Sequence, residues 1–415
     1  MMTGRDTVVV HVDAADLGGD RLVGTLAGNR SRTGRVFSFR YDKAWLARKD
    51  NFTVDPSLGL YEGEQYAETL PGIFMDTAPD RWGRKLMERR EAILARREGR
   101  RPRTLDEWDF LMGVSDQLRM GALRLATPSD GRFLDDRLPE IPANARLREL
   151  EHLAREAEEE RIPESDESEW LRILLAPGSS LGGTRPKANF QEANGALWIA
   201  KFPSREDRRD VGAWEYVMTQ LAQRSGIDVP STKLLQLASV YKTFCSQRFD
   251  RINGGRRLYA SAITLTGKGD GDEASYLDLA EAITFYGDPH AIDADLEQLF
   301  RRLVFNILAA NRDDHLRNHG FIRALRGWRI SPVFDLNPAP EKSEHSLALD
   351  EASHIPDVGA ALETARLYRL SDRRALTIVG EVRGAVESWR EVAAGAGVSR
   401  EEMESLAGVF AMAAA

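Results

Sequence analysis

Hydrophobic and polar positions alternate along the first part of the chain in the manner of half-buried strands. The run Thr7–Val12 is β-branched, and Val36–Tyr41 alternates in the same way, so both are predicted strands. From Asp76 to Arg103 the pattern becomes helical and strongly basic, and Trp108–Leu125 ends in a further strand-like segment. These patterns predict an α+β module over residues 1–125.

The next stretch, residues 126–175, has the pattern of a connector. It begins rich in Pro, Asp and Gly and continues as a charged helix with Leu147, Leu150 and Leu153 on one face. We therefore expect a helical segment between two larger modules.

A second module is predicted over residues 176–415. A glycine-containing turn leads into the strand-like run ALWIAKF, and a helix then ends at Gly226, a residue type that often follows a helix C-terminus. Strands are predicted at Thr232–Leu237 and Thr243–Phe249. The longest helix, residues 295–310, repeats apolar side chains at steps of three and four, which indicates burial along one face. Two short strand-like runs and a helical tail follow.

Composition narrows the class of protein. The 415 residues suit two or three domains, and 42% apolar with 29% charged residues is typical of a globular chain. No apolar run approaches the roughly 18 residues of a membrane span, and no signal-peptide pattern is evident. Cys245 is the only cysteine, which favours a reducing cytoplasm, and the net charge of −8 argues against a general nucleic-acid binder.

The candidate chemistry is concentrated after the longest helix. Asp313 and Asn318 have the D-x-x-x-x-N spacing of a kinase catalytic loop, in which the Asp orients or deprotonates a hydroxyl and the Asn holds Mg²⁺. Asp335 follows a predicted hairpin and supplies a second oxygen ligand for Mg²⁺. The alternative is that these side chains only cap turns.

Nucleotide-binding candidates precede that helix. Lys201 follows a strand and could pair with nucleotide phosphates, although a strand lysine often only reaches into water. Gly182, Gly183 and Lys187 lie in SSLGGTRPK, a turn whose backbone N–H groups suit phosphates, unless it is an ordinary exposed turn. The segment QRFDR stands where a kinase has the hinge that binds adenine. The order of these parts predicts an α+β, two-lobed, protein-kinase-like fold with a mostly helical C-terminal lobe.

Several segments together resemble the HipA family of bacterial toxin–antitoxin kinases. They are SxxGGxRPK, WIAKFPS, QRFDR, SYLDLA, NRDDHLRNHGF and SPVFDLNP in the second module, with FSFRYDKAWL, PGIFMDTAPDRWGRKL and DFLMGVSDQLRMGAL in the first. The resemblance covers roughly residues 8–390, and its joint match is specific although each segment is short.

The resemblance implies roles for individual residues. Lys201 matches the lysine that binds ATP phosphates, and Asp313 matches the catalytic aspartate. Asn318 and Asp335 match the Mg²⁺ ligands, and Gln247 and Phe249 fall on the adenine-contacting hinge. Ser180 matches the autophosphorylated serine of the phosphate loop, with Ser179 as the second candidate. The loop departs from the best-known toxin in reading G-T-R-P-K, without an acidic residue before the lysine.

The resemblance also implies substrates and partners. It points to an ATP- and Mg²⁺-dependent serine/threonine kinase that phosphorylates an aminoacyl-tRNA synthetase and inactivates itself by autophosphorylation. It further implies a helix-turn-helix antitoxin of the HipB type, with indirect DNA contact through that complex. The alternatives are a small-molecule kinase and a catalytically degenerate co-repressor. The ten basic and three acidic residues of Arg81–Arg103 suit phosphate contacts or an ordinary solvated helix face.

Overall fold

The order of elements follows the sequence pattern closely. In the computed structural model, the described residues are 5–30, 34–134, 141, 143, 146–159, 183–269 and 271–414. The strands are β1 Arg5–Ala14, β2 Gly19–Arg30, β3 Arg35–Tyr41, β4 Gln65–Ala67, β5 Leu123–Ala126, β6 Lys187–Gln191, β7 Leu197–Lys201, β8 Thr232–Leu235, β9 Thr243–Gln247, β10 Arg251–Ile252, β11 Gly255–Arg256, β12 Tyr259–Ser261, β13 Gly320–Arg323 and β14 Trp328–Ile330. The helices are α1 Lys43–Leu46, α2 Gly72–Met75, α3 Arg81–Arg97, α4 Glu107–Met112, α5 Leu147–Glu159, α6 Val211–Arg224, α7 Ala262–Thr266, α8 Tyr276–Tyr286, α9 Ile292–Leu308, α10 Val358–Glu363, α11 Asp372–Glu387, α12 Trp389–Gly395, α13 Arg400–Ser405 and α14 Ala411–Ala414.

The chain divides into two compact units. The first contains residues 1–197 and 250–267, and the second contains residues 198–249 and 268–415. The mixture of strands and helices confirms the predicted α+β class. The three-part division at residues 125 and 175 remains a prediction.

An antiparallel sheet forms the centre of the first unit. Five of the described strands pair in the order β4-β3-β2-β1-β5. Val10, Val12, Leu26 and Phe39 are almost fully buried, as the alternating apolar pattern predicts for one covered face. In the connector, Leu147, Leu150 and Leu153 of α5 are also buried.

Helix α3 is shorter than its sequence pattern suggested. Asp80 begins the helix because its side chain accepts a hydrogen bond from the Gly83 N–H at 2.8 Å. The helix ends at Arg97, and Gly99 adopts a positive φ of 66° that no longer fits a helix. The predicted helical stretch Asp76–Arg103 is therefore wrong at both ends.

In the second unit, an antiparallel group of strands and a buried helix provide the framework. Strand β9 pairs with β7 and with β8, which sets Lys201 opposite Phe244. Helix α9 packs against α8 and α11. Leu299, Phe300 and Leu303 are fully buried there, which confirms the predicted buried helix.

The C-terminal helices cover α6 through an aromatic cluster. The rings of Trp389 and Phe410 are stacked with centroids 4.5 Å apart, and Trp214 of α6 lies 6.1 Å from Phe410. The indole N–H of Trp214 donates to the Glu402 carboxylate at 2.8 Å. Burial of large rings with their polar atom satisfied stabilises this end of α6.

No helix in the described part of the chain is both long enough and apolar enough to cross a membrane.

Candidate active site

Lys201 ends β7 and is held between two carboxylates. Its Nζ lies 2.5 Å from Oε1 of Glu215 and 2.6 Å from Oδ1 of Asp335. The lysine and glutamate side chains are only 11% and 3% exposed. Burial alone would lower the pKa of Lys201, but Asp335 and Glu215 raise it above its ordinary value. The ammonium group therefore stays charged inside the fold.

Glu215 reaches Lys201 because of the way α6 begins. Asp210 caps this helix by accepting from the Ala213 N–H at 3.0 Å, and it also pairs with Lys242 at 3.2 Å. One turn later, Glu215 points to the end of β7. Glu206 and Asp210 lie nearer to Lys201 in sequence, but Glu215 is the carboxylate of this segment that contacts the lysine.

The predicted catalytic loop leaves α9 through a sharp turn. Ala310 has a positive φ of 49°, and the Asn311 N–H returns to the Asn306 carbonyl at 3.0 Å. The side chain of Asn311 donates to Oδ1 of Asn306 at 3.0 Å. Few non-glycine residues adopt such a φ, so the two asparagines fix an otherwise costly turn.

Asp313 and Asn318 of this loop differ in their exposure to solvent. The Asp313 side chain is 60% exposed, whereas Asn318 is almost completely buried. Asn318 contacts the backbone of Asp313 through a weak hydrogen bond of 3.4 Å. An exposed carboxylate can meet an incoming hydroxyl, and a buried amide is suited to a fixed ligand.

Asp335 follows the β13–β14 hairpin, as the sequence predicted. In the hairpin, Phe321 pairs with Ile330 and Arg323 with Trp328. Asp335 has a φ of 59°, in the left-handed region that Asp tolerates better than most residues. Strain of this kind costs about 1–3 kcal/mol and is concentrated at functional sites, which motivates a role for this aspartate.

The second aspartate of the loop, Asp314, has a different environment from Asp313. It is buried, and its Oδ2 accepts hydrogen bonds from the Tyr276 hydroxyl at 2.5 Å and from Nδ2 of Asn306 at 3.0 Å. Nε2 of His319 lies 2.7 Å from the same oxygen. Burial would raise the pKa of Asp314, but His319 and Tyr276 lower it below its usual value. This charged group joins α8, α9 and the loop.

The residues predicted to hold Mg²⁺ offer the right atoms. Oδ1 of Asn318 is buried and makes no hydrogen bond to any residue that the structure describes. A buried oxygen without a partner is costly, and a cation would satisfy it. Asp335 adds carboxylate oxygen, the kind of hard ligand that Mg²⁺ prefers. The side chains therefore fit the ion.

Of the predicted hinge residues, Gln247 ends β9 and Phe249 lies two residues beyond the strand. The Gln247 N–H donates to the Ser231 carbonyl at 2.8 Å, so an adenine contact there would use other atoms of Gln247. Phe249 is half-buried, and its ring stacks on Phe334 with centroids 5.7 Å apart. Both residues belong to the second unit, with Lys201, Asp313, Asn318 and Asp335.

The predicted phosphate loop belongs to the first unit where it is described. Gly183 has a positive φ of 88°, which suits glycine. Nζ of Lys187 lies 2.7 Å from Oδ2 of Asp80, and both side chains are almost fully buried. The structure thus shows Lys187 against a carboxylate, and its contact with ATP remains a prediction. Ser179, Ser180 and Gly182 lie outside the described residues.

Sequence reasoning missed one further residue beside the predicted catalytic aspartate, Asp313. The ammonium group of Lys342 contacts Oδ1 of Asp313 and lies 3.0 Å from Oγ of Ser346. No motif or periodicity marks Lys342, so only the folded chain shows this contact. Tyr276, in contrast, lies in the segment SYLDLA, which carries part of the family resemblance, but the sequence predicts no role for this residue.

Comparison with known families matches both parts of the chain. The family model described as the HipA-like C-terminal domain matches residues 179–390. The model of the HipA N-terminal domain matches residues 17–126. The first of these covers half of the chain by itself.

Named relatives and a solved structure agree with these matches. The serine/threonine-protein kinase toxin HipA of Shewanella oneidensis is 23% identical over 350 residues, which are 77% of this chain and 73% of that protein. A kinase-like protein of Sinorhizobium fredii, Y4dM, is 27% identical over 220 residues, or 48% of this chain and 52% of that protein. The chain therefore matches only about half the length of Y4dM. The Shewanella oneidensis HipA structure, solved with HipB and operator DNA, has a TM-score of 0.66 at 16% identity, covering 98% of this chain and 95% of that chain. This likeness confirms the predicted kinase-like fold.

Proposed function

The chain belongs to the HipA family, and from this premise we propose that it is an ATP-dependent serine/threonine protein kinase. The observation that best supports the activity is Lys201, which is buried, charged and paired with Glu215 and Asp335. A fixed cation on a strand, paired with a helix glutamate and lying beside a further aspartate, is the arrangement that protein kinases use for phosphoryl transfer from ATP.

Binding of ATP would use the residues around β7 and β9. Lys201 pairs with the nucleotide phosphates, and Glu215 holds its ammonium group in place. Gln247 and Phe249 contact the adenine. The backbone of Gly182 and Gly183, together with Lys187, covers the phosphates.

Transfer would depend on Asp313. Its exposed carboxylate accepts a hydrogen bond from a serine or threonine hydroxyl and orients the oxygen toward the γ-phosphorus. The oxygen–phosphorus bond forms as the bond to the β,γ-bridging oxygen breaks, and the bridging oxygen leaves with ADP. The hydroxyl proton passes to Asp313 or to solvent.

Asn318 and Asp335 are the side chains that would hold Mg²⁺, which neutralises phosphate charge when bound. We expect Asn318→Ala and Asp335→Ala to weaken Mg²⁺-dependent ATP binding in calorimetry. Wild-type affinity in both variants would mean that other residues hold the ion.

We further propose that the protein is the toxin of a toxin–antitoxin pair in the cytoplasm. An aminoacyl-tRNA synthetase is the proposed substrate, and a small helix-turn-helix antitoxin of the HipB type is the proposed partner. The operator complex of the structural relative supports such a partner and DNA contact through it.

Self-inactivation would act through Ser180, with Ser179 as the second candidate. A phosphate there adds roughly −1.5 to −2 charges to a loop that must approach ATP, so repulsion should eject the loop. Intact mass after incubation with Mg-ATP should rise by one phosphate, with loss of activity. A modified serine elsewhere would overturn this regulation and leave the kinase assignment standing.

The decisive experiment compares phosphoproteomes of cells expressing the wild-type chain and Asp313→Ala. The proposal expects serine or threonine sites, including one on an aminoacyl-tRNA synthetase, only with the wild type. If the two phosphoproteomes are identical, the proposed protein kinase activity is rejected, whether the chain transfers phosphate to a small molecule or to no acceptor.

A further inference from the structure

Lys342 lies in a turn that backbone hydrogen bonds hold against the predicted catalytic loop. The Ala339 N–H donates to the Ala310 carbonyl at 3.0 Å, and the Ser346 N–H donates to the Arg312 carbonyl at 2.9 Å. The carbonyl of Lys342 accepts from the Arg312 guanidinium. Because these bonds use backbone atoms of residues 339–346, the turn keeps its position when the Lys342 side chain is changed.

The Lys342 side chain extends from this turn to Asp313. Its ammonium group contacts Oδ1 of Asp313 and donates to Oγ of Ser346 at 3.0 Å. The other carboxylate oxygen of Asp313 has no hydrogen-bond partner in the described part of the chain. One oxygen is thus fixed by a cation, and the other is open to a hydroxyl.

This ion pair is too exposed to be explained by stability. The lysine and aspartate side chains are 39% and 60% exposed, and such pairs contribute little to folding in water. Lys201, in contrast, is almost buried and shared between two carboxylates. Lys342 is therefore a partly exposed cation beside the proposed catalytic carboxylate.

We propose that Lys342 is a further catalytic residue, which contacts the γ-phosphoryl group as it is transferred; this inference rests on the proposed kinase function. As the substrate oxygen bonds to phosphorus and the bridging oxygen leaves with ADP, negative charge is spread over the equatorial oxygens of the phosphoryl group. The Lys342 ammonium donates a hydrogen bond to one of them without leaving the neighbourhood of Asp313. A cation placed where charge develops lowers the barrier to the reaction.

The alternative hypothesis is that Lys342 blocks Asp313 until a substrate displaces the lysine side chain. A blocking lysine would have to occupy the position of the incoming hydroxyl, yet it engages only Oδ1. The two readings predict opposite effects of removing the charge, so one set of variants separates them.

The test uses the full chain, Lys342→Met, Lys342→Arg and a matched control, Lys268→Met. Lys268 pairs with Asp278 at 2.9 Å, and the two side chains are 29% and 24% exposed, so its loss also removes one cation from an ion pair. The measurements are the initial rate of γ-phosphate incorporation into proteins of a bacterial lysate at saturating ATP, and Mg-ATP affinity by calorimetry. Lys342→Gln replaces Lys342→Met if the latter does not fold.

Lys342→Met should lose about 100-fold in the rate of transfer with unchanged Mg-ATP affinity, and Lys342→Arg should recover most of the rate. Lys268→Met should match the wild type. A wild type that binds Mg-ATP but transfers no phosphate to protein rejects the proposed function, and the inference falls with it. An active wild type with Lys342→Met within threefold of it, or faster, overturns the inference alone.

Discussion

At the scale of single residues, the neighbouring aspartates Asp313 and Asp314 lie in different environments. Asp313 is exposed and contacts Lys342, whereas Asp314 is buried and accepts hydrogen bonds from Tyr276 and Asn306. The same side-chain chemistry therefore stabilises the loop's shape at Asp314, whereas at Asp313 it is exposed, as the proposed contact with a substrate hydroxyl needs.

Asparagine substitutions should separate these tasks. Asp313→Asn should lower phosphoryl transfer by about 10²–10⁴-fold and leave unfolding within about 0.5 kcal/mol of the wild type. Asp314→Asn should cost about 1–3 kcal/mol in the free energy of unfolding, because buried donors lose a charged acceptor. For both variants, urea unfolding measures the free energy of unfolding, and the initial rate of phosphate transfer measures the activity. Equal stability of the two variants would contradict this division.

His345 is expected to make the stability of the protein depend on pH. The residue is 3% exposed, and neither ring nitrogen has a hydrogen-bond partner within the described residues. The pKa of His345 is lowered to about 4, chiefly by burial; Asp314 acts to raise the pKa, and Arg312 and His354 act to lower it. A depressed pKa means that the folded state favours the neutral ring, and protonation favours unfolding.

The free energy of unfolding should fall by about 3 kcal/mol as pH decreases from about 6.5 to 4. His345→Leu should flatten this part of the pH profile in urea unfolding. His152→Leu, which changes a side chain that is 66% exposed, is the control and should retain it. An unchanged slope in His345→Leu would assign the effect to other groups.

At the scale of elements, a close approach of α6 to the start of β9 positions Glu215. A Cβ atom on Gly212 would lie 2.2 Å from the Lys242 carbonyl oxygen, which is backbone and cannot swing away. Gly212 is therefore needed for packing rather than for an unusual φ. The helix that carries Glu215 can lie at this distance only without a side chain there.

Gly212→Ala should cost about 1–3 kcal/mol in stability and weaken Mg-ATP binding, because α6 must move with Glu215. Gly380→Ala is the matched control, since Gly380 is exposed on α11 and nothing lies within 4 Å of a Cβ added there. That control should gain about 0.5–1 kcal/mol from helix propensity. Thermal unfolding and calorimetry test both variants, and a stable, tightly binding Gly212→Ala protein would refute the packing argument.

The spacing of residue types along the chain predicts the helices and strands better than it predicts contacts between residues that are far apart in sequence. The D-x-x-x-x-N segment and the hairpin before Asp335 were visible because each is contiguous in sequence. The buried pair of Lys187 and Asp80 joins residues 107 positions apart, and Lys342 meets Asp313 across 29 positions. No periodicity encodes such pairs, since tertiary packing brings them together.

For the whole molecule, charge is spread unevenly. The net charge is −8, yet Arg81–Arg103 holds ten basic and three acidic residues. In the structure, Arg84 binds Glu107 in a bidentate pair at 2.6 and 2.7 Å, and Arg100 pairs with Glu91 at 2.5 Å. Cations engaged in this way are less available to phosphates, which favours the solvated-helix interpretation of this stretch.

The chain alone should therefore bind a 30-base-pair duplex no more tightly than non-specific proteins do, about 10⁻⁴–10⁻⁶ M at physiological salt. Fluorescence anisotropy across a salt series measures this affinity. The control is the same duplex with the antitoxin present. Nanomolar binding by the chain alone, with a steep salt dependence, would show that the basic stretch reads DNA directly.

The aromatic cluster on α6 has an optical consequence. Trp214 is the immediate neighbour of Glu215, and its buried indole lies against Phe410 and donates to Glu402. Emission from an indole depends on the field around it, so any displacement of α6 when nucleotide enters should shift its wavelength or intensity. The difference between the spectra of the wild type and Trp214→Phe would then report, without a label, the movement of the helix that holds Lys201.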